Sequence, residues 1–162
     1  ASDLQRALTT ALLALEDSAN APVVVKDPRL REQSFGVFEG QPVQDLLADM
    51  RERGQDWVTF YPEAGESRAL LRARAQAFLE DIARAHQSGT VVAFTHYGFI
   101  NTLMRIVDGS GDPEMDHEIA NASINIFRLF ADRLEAESIN DIAHLTGALK
   151  PQPLSLTLRS SY

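Results

Sequence analysis

Apolar residues recur every three or four positions in four parts of the chain, and this spacing predicts helices there. The predicted helices cover residues 3–15, 42–53, 66–86 and 99–107. Ser2 or Asp3 is expected to cap the first of them. Runs of β-branched and aromatic residues predict strands at residues 23–25, 90–95 and 123–130, and residues 134–139 are a further candidate.

Helices that alternate with strands indicate an α/β fold with a mainly parallel sheet. Residues 123–130 carry apolar side chains on both faces, so a strand buried on both sides is expected there. Three or four strands are few for such a sheet, which suggests that part of it is missing. We expect one domain over residues 1–145 and a peripheral C-terminal tail over residues 146–162.

The composition of the 162-residue chain suits one globular domain with a real core. A net charge of −8 argues against a general nucleic-acid binder and requires any phosphate site to be a local cluster of cations. The absence of cysteine excludes disulfides and thiolate chemistry. We expect a soluble, cytoplasmic protein without membrane contacts, because no apolar run approaches spanning length and no signal peptide is recognisable.

A histidine is the first candidate for a catalytic or anion-binding residue. His96 directly follows the predicted strand at residues 90–95, and Gly98 then allows a tight turn into a helix. Ligands of open α/β sheets collect at the carboxyl ends of strands, where a histidine can hold an anion or move a proton. A core or capping histidine is an equally good explanation of this residue alone.

Further polar residues are candidates for the same functional site as His96. Arg6, Glu32 and Glu66 with Ser67 each have an ordinary explanation as surface or helix-start residues, and a plain turn explains residues 121–123. Together with His96 they suggest phosphoryl chemistry, because arginine binds phosphate through two hydrogen bonds and a carboxylic acid can protonate a leaving oxygen. The four histidines lack metal-ligand spacing and no glycine-rich nucleotide loop occurs, so neither metal nor cofactor is expected.

Six segments, in order, resemble those of the histidine phosphatase (phosphoglycerate mutase-like) superfamily. They are residues 2–11 (SDLQRALTTA), 30–40 (LREQSFGVFEG), 63–67 (EAGES), 94–98 (FTHYG), 121–123 (NAS) and 141–145 (DIAHL). The resemblance implies a three-layer α/β/α sandwich and a reaction through a phosphohistidine. It also implies that Arg6 clamps the phosphate, that His96 supports the phosphoryl group, and that Glu32 is the general acid and base.

The same resemblance assigns two further groups to phosphate binding: Glu66 and the backbone amide of Tyr97. The family's nucleophile lies in an R-H-G motif on a central strand that precedes S-D-L, and no such motif occurs in this sequence. We therefore expect part of a longer protein, or one without that segment, and little turnover by this chain alone. Tyr97 and Ala64 replace the family's usual glycines, which matters only where the local φ is positive.

The family also places a variable segment, here residues 41–64, over the site. This segment looks closest to the phosphatase branch that includes fructose-2,6-bisphosphatase-like proteins, and Arg51 and Arg53 within it are expected to face solvent. The favoured function is hydrolysis of a small phosphorylated metabolite such as a sugar phosphate. The alternative is a non-catalytic relative that binds phosphate ligands or a protein, with a metal-dependent hydrolase third; a homodimer is left open.

Overall fold

The computed structural model describes residues 1–109 and 116–147. The helices are α1 (Gln5–Leu15), α2 (Val43–Glu52), α3 (Arg68–Ala85) and α4 (Tyr97–Val107), with short 3-10 turns at Pro28–Leu30 and Gly36–Phe38. The strands are β1 (Ile124–Leu129) and β2 (Leu134–Asp141). Within the described residues no helix is both long and apolar enough to cross a membrane.

The main core lies between α3, α4 and the β1–β2 hairpin. Leu71 and Phe78 of α3 pack against Phe99 and Leu103 of α4, and Leu134 of β2 closes the cluster. The rings of Phe78 and Phe99 meet edge to face, with 6.0 Å between their centroids, an arrangement that favours aromatic pairs. This packing fixes the start of α4, which is where His96 lies.

A second, smaller core supports the segment that the sequence places over the site. Leu46 and Met50 of α2 pack against Phe60, and the aromatic rings of Phe35, Phe38 and Trp57 cover them. Arg51 and Arg53 lie on the outer surface of this segment, as predicted.

The strand pairing differs from the prediction. The hydrogen-bonded strands in the described part of the chain form an antiparallel pair, β1 with β2, instead of a mainly parallel sheet. The expectation that residues 123–130 are buried on both faces is wrong, because Ile124 and Ile126 are exposed while Phe127 and Leu129 pack on the main core. One face of this hairpin therefore has no covering layer among residues 1–109 and 116–147.

Residues 23–25 and 90–95, predicted as strands, belong to no ladder in the described structure. Ala1 and Ser2 lie between them. The Ala1 ammonium donates to the Val25 carbonyl and the Asp27 N–H to the Ala1 carbonyl, which is the bond pattern of a parallel pair. The Ser2 N–H donates to the Phe94 carbonyl on the other side. We call the space that continues between these two segments the strand gap.

Apolar side chains flank the strand gap. Val23 is 89% exposed and Val92 is 69% exposed, and Val25 and Val91 are also exposed. A valine is rarely left so open at a strand position, because its branched side chain packs best against a neighbouring strand.

The helix boundaries agree with the prediction to within two residues, with one change of interpretation. Helix α1 begins at Gln5, and its N-cap Leu4 has no side-chain cap. Ser2 or Asp3 was expected as the cap, but Ser2 is fully buried with its hydroxyl 2.9 Å from His96 Nε2, and the Asp3 carboxylate pairs with Arg31. In the predicted tail at 146–162, residues 148–162 lie outside the described residues.

Candidate functional site

The site is built around the N-terminus of α4. His96 is the N-cap residue of this helix, with extended backbone angles, and only 7% of it is exposed. Its Nε2 lies 2.9 Å from the Ser2 hydroxyl, and the neighbouring Thr95 hydroxyl donates to the Leu30 carbonyl. These bonds join the chain start, the loop before Glu32 and α4 at one point.

Glu32 is held directly over the first turn of α4. The Gly98 N–H donates to Glu32 Oε1 at 2.9 Å and to Oε2 at 3.2 Å, and the Gln33 N–H donates to Oε1 at 2.8 Å. A Cβ on Gly98 would lie 2.3 Å from Glu32 Oε1, so only glycine allows this approach. First-turn N–H groups of a helix have no partner within the helix and suit an anion.

Burial and neighbouring charges set the protonation of both groups. Burial lowers the pKa of His96 to about 4, and the positive charges of Arg6 and Arg74 act in the same direction. The imidazole is therefore neutral at pH 7. Burial raises the pKa of Glu32, although the N–H donors and the charges of Arg6 and Arg74 oppose the rise. A raised pKa suits a carboxyl group that gives up a proton in a reaction.

Arg6 lies in the first turn of α1 with an exposed side chain. Within the described residues its guanidinium makes no hydrogen bond or ion pair, yet its charge acts on both His96 and Glu32. The nearby Arg31 is instead engaged, because its guanidinium binds both oxygens of Asp3, at 2.7 and 2.6 Å. Arg6 is thus the cation at this end of α4 that can receive an anion.

Arg74 of α3 was not identified from the sequence. Its Nε and Nη2 bind both oxygens of Glu66, at 2.7 and 2.8 Å, and its remaining donors reach the carbonyls of Arg29, Arg31 and Glu32. It therefore clamps the Glu32 loop onto α3. No local pattern reveals such a role, since it depends on where the end of a long side chain arrives.

Glu66 and Tyr97 were both expected to contact phosphate. The Glu66 carboxylate is paired with Arg74 and its N–H donates to the Ser34 carbonyl, so in this structure Glu66 holds Arg74 in place. Tyr97 is the first residue of α4, where the described residues offer its N–H no backbone acceptor. Residues 121–123 form a turn in which the Ser123 N–H donates to the Ala120 carbonyl.

The two departures from the family's glycines differ in consequence. Ala64 has a φ of 55°, a left-handed conformation that favours glycine. Tyr97 begins a right-handed helix and is not strained. Among the described residues, no group of three or more His, Asp or Glu side chains is arranged to hold a metal ion. The polar groups at the start of α4 include a cation, Arg6, and first-turn N–H donors, which are group types that can bind an oxyanion.

The family model of the histidine phosphatase superfamily (branch 1) matches residues 1–142. The chain belongs to this superfamily. It is similar to the solved structure of YhfR from Bacillus stearothermophilus, with a TM-score of 0.72 at 23% identity over 88% of this chain and 73% of that one. It is also similar to a mycobacterial glucosyl-3-phosphoglycerate phosphatase solved with inorganic phosphate, with a TM-score of 0.69 at 26% identity over 90% of this chain and 77% of that one. The α/β fold is thus that of the phosphoglycerate mutase-like histidine phosphatases.

Curated relatives are phosphatases. The chain is 28% identical over 154 residues to a metal-independent phosphoserine phosphatase of Arabidopsis thaliana, covering 90% of this chain and 61% of the relative. It is 35% identical over 83 residues to the fructose-2,6-bisphosphatase TIGAR B of Danio rerio, covering 50% of this chain and 32% of the relative. The chain therefore spans less than two thirds of the length of these relatives.

Proposed function

We propose that the protein is a phosphomonoester hydrolase that acts on a small phosphorylated metabolite, such as a sugar phosphate, in the cytoplasm. The observation that carries this proposal is the convergence of Glu32, His96 and Arg6 at the N-terminus of α4. A helix N-terminus with a nearby unpaired arginine favours a phosphate group. A carboxyl group with a raised pKa beside it can protonate a leaving oxygen.

In this proposal each group has one task. Arg6 and the Tyr97 N–H hold two oxygens of the phosphoryl group, and His96 donates to it once the phosphate charge has raised the pKa of the imidazole. Phosphoryl transfer to a nucleophilic histidine breaks the ester P–O bond while protonated Glu32 gives its proton to the leaving alkoxide. The Glu32 carboxylate then takes a proton from the water that attacks the phosphohistidine, which restores the acid and releases phosphate.

The nucleophilic histidine in this proposal lies outside the 162 residues, on a strand that fills the strand gap. Among the described residues, the other three histidines (His86, His117 and His144) make no hydrogen bond or ion pair with Arg6, Glu32 or His96, and His117 instead lies 3.4 Å from Asp108. The exposed valines along the gap support this placement, since a central strand would cover them. Such a strand would end at Ala1, beside His96. The intact mass and N-terminal sequence of the natural protein test this part directly.

The central experiment measures hydrolysis of p-nitrophenyl phosphate and of a panel of sugar phosphates by the natural full-length product. We expect turnover, and we expect Glu32→Gln to reduce kcat by about 100-fold or more through loss of the acid. Glu80→Gln is the matched control, because Glu80 is exposed on α3. Acid-labile, base-stable labelling by a phosphorylated substrate would report the phosphohistidine.

Two results would contradict the proposal. One is the absence of turnover with every phosphate ester, and the other is a Glu32→Gln variant as active as wild type. Absent turnover combined with stabilisation by inorganic phosphate, lost in Arg6→Ala, would favour the non-catalytic phosphate-binding alternative.

A further inference from the structure

An ion pair joins the two segments that carry Arg6 and Glu32. Asp3 lies three residues before Arg6, and Arg31 directly precedes Glu32. The Arg31 Nε donates to Asp3 Oδ1 at 2.7 Å and the Arg31 Nη2 donates to Asp3 Oδ2 at 2.6 Å, so the guanidinium binds both carboxylate oxygens. A two-point contact of this kind fixes orientation as well as distance. Neither Asp3 nor Arg31 has a task in the chemistry proposed above.

The start of α1 is linked to the site mainly by polar contacts. Neither the main core nor the second core includes the buried side chains of α1, which are Ala7, Leu8 and Ala11. The Ser2 hydroxyl contacts His96, and the Asp3 carboxylate contacts Arg31. Among the described residues, the Asp3–Arg31 pair is the hydrogen-bonded link from this end of the chain to the segment that carries Glu32.

Other bonds hold Glu32 to the two helices of the main core. Arg74 of α3 donates to the carbonyls of Arg31 and Glu32, and the Gly98 N–H of α4 donates to the Glu32 carboxylate. These bonds place Glu32 relative to α3 and α4, but they do not involve α1. The contact between Asp3 and Arg31 therefore completes the connection between the helix that carries Arg6 and the loop that carries Glu32.

This ion pair contributes little to the stability of the fold. The Asp3 side chain is 24% exposed and the Arg31 side chain is 51% exposed, and exposed ion pairs stabilise a protein only weakly because water already solvates both charges. Hydrogen bonding to Arg31 lowers the pKa of Asp3, whereas burial raises the pKa of Glu32. The pair therefore stays ionised in the pH range in which Glu32 changes its protonation.

We propose that Asp3 and Arg31 are positioning residues that set the placement of Glu32 relative to Arg6. The inference rests on the proposed function, in which Arg6 holds the phosphoryl group and Glu32 protonates the leaving oxygen. A proton passes to that oxygen only within hydrogen-bond reach, so a displacement of about 1 Å between the two groups is costly. Loss of the pair should therefore slow the cleavage of esters whose leaving group needs a proton.

The experiment compares two esters that differ in their need for an acid. Phenyl phosphate releases a basic phenolate, whereas p-nitrophenyl phosphate releases a stabilised anion that leaves readily without a proton. With the natural full-length product, we expect Arg31→Gln to lower kcat/KM by about 10-fold for phenyl phosphate and by about 2-fold or less for p-nitrophenyl phosphate. Because both esters carry the same phosphate group, repulsion from the unpaired Asp3 carboxylate cancels in the ratio. Asp3→Asn should change the ratio in the same direction, and Arg31→Lys, which keeps the charge but loses the fork, should change it in part.

A matched control and a double variant accompany these measurements. Arg128 is also exposed and also binds both oxygens of a carboxylate, that of Glu137 on the β1–β2 hairpin. We expect Arg128→Gln to leave both kcat/KM values unchanged and to lose as little stability in urea as Arg31→Gln. In a Glu32→Gln background, Arg31→Gln should lower kcat/KM for phenyl phosphate no further, because the ion pair acts through Glu32.

The inference and the proposed function fail in different ways. Turnover of both esters by wild type, with an unchanged ratio in Arg31→Gln, would retain the hydrolase and overturn the positioning role. Equal losses for the two esters, or an additive loss in the Glu32→Gln background, would also overturn it, because a merely structural contact would act in this way. Absence of turnover of either ester by wild type would contradict the proposed function itself and the positioning role with it.

Discussion

Arg74 and Arg105 are both buried arginines on adjacent helices, but their surroundings differ. Arg74 binds both oxygens of Glu66 and three backbone carbonyls, and its side chain is 17% exposed. Arg105 contacts Asp116 and keeps a buried Nε without a partner in the described part of the chain. A fully bonded buried cation holds parts of the fold together, whereas a partly bonded one retains capacity for a ligand. The same residue type therefore occurs in two environments, which the hydrogen bonds and ion pairs of each guanidinium distinguish.

The largest expected effect is the loss of stability on replacing Arg74, the fully bonded arginine. Arg74→Ala leaves the Glu66 carboxylate and three carbonyls without their donor, so we expect a loss of about 3–5 kcal/mol in the free energy of unfolding. Arg105→Gln should lose only about 1 kcal/mol, because it removes a single ion pair with a partly exposed carboxylate. Urea denaturation of the two variants beside wild type measures the difference. Equal losses would contradict the distinction between the two arginines.

The second effect uses the burial of His96, to which the charges of Arg6 and Arg74 add. Because the folded pKa of His96 is lowered to about 4 from 6.5, the unfolded chain binds a proton first as the pH falls. We expect the free energy of unfolding to decrease between pH 6.5 and pH 4 by about 3 kcal/mol through this group. Denaturation of wild type and His96→Gln at pH 7 and pH 4.5 isolates the effect.

Glu32 acts in the opposite direction, because its raised pKa favours the folded state at low pH and this contribution fades as the pH rises above 4.5. Both proteins in that comparison retain Glu32, so its contribution largely cancels in the difference. If His96→Gln lost as much stability on acidification as wild type, a neutral buried His96 would be excluded.

The smallest effect concerns the turn that leads into Glu66, the partner of Arg74. Ala64 has a φ of 55°, which costs a residue with a Cβ about 1–2 kcal/mol. Glycine removes this strain but adds about 0.5–1 kcal/mol of chain entropy to the unfolded state. We therefore expect Ala64→Gly to stabilise the protein by about 0.5–1 kcal/mol in the same urea assay. Tyr97→Gly is the contrasting variant. Because Tyr97 is helical, we expect glycine there to lower the free energy of unfolding.

The helices could be predicted from the sequence because their apolar periodicity is local. Helix α3, expected at residues 66–86, is observed at Arg68–Ala85. Residues 90–95 have the composition of a strand, yet a strand exists only when a neighbour supplies its hydrogen bonds, and the described residues supply one bond, at Phe94. The exposure of Ile124 and Ile126 likewise depends on whether another element covers their face of the strand, and the apolar pattern of the strand alone does not predict that.

The candidate site was predicted only in part, because the sequence reveals local segments but not where the ends of long side chains arrive. Arg6, Glu32 and His96 stand in short segments whose resemblance to a family brought them together before any geometry was known. Arg74 and Arg105 carry no such local signature, since both act at the far ends of long side chains. The sequence predicts Ser2 or Asp3 as the helix cap because both residue types are common there, but the N-cap residue is Leu4 and the Ser2 hydroxyl lies 2.9 Å from His96 Nε2.

The strand gap also has a consequence for the 162-residue chain in concentrated solution. Two valine-rich segments with exposed side chains and unpaired backbone groups are templates for strands of other molecules. Lys26 and Asp27 are the charged residues that directly follow the first of these segments, and His96 is the first titratable side chain after the second. Self-association of the 162-residue chain should therefore begin at these two segments. Charged residues that discourage such pairing follow directly only the first of them.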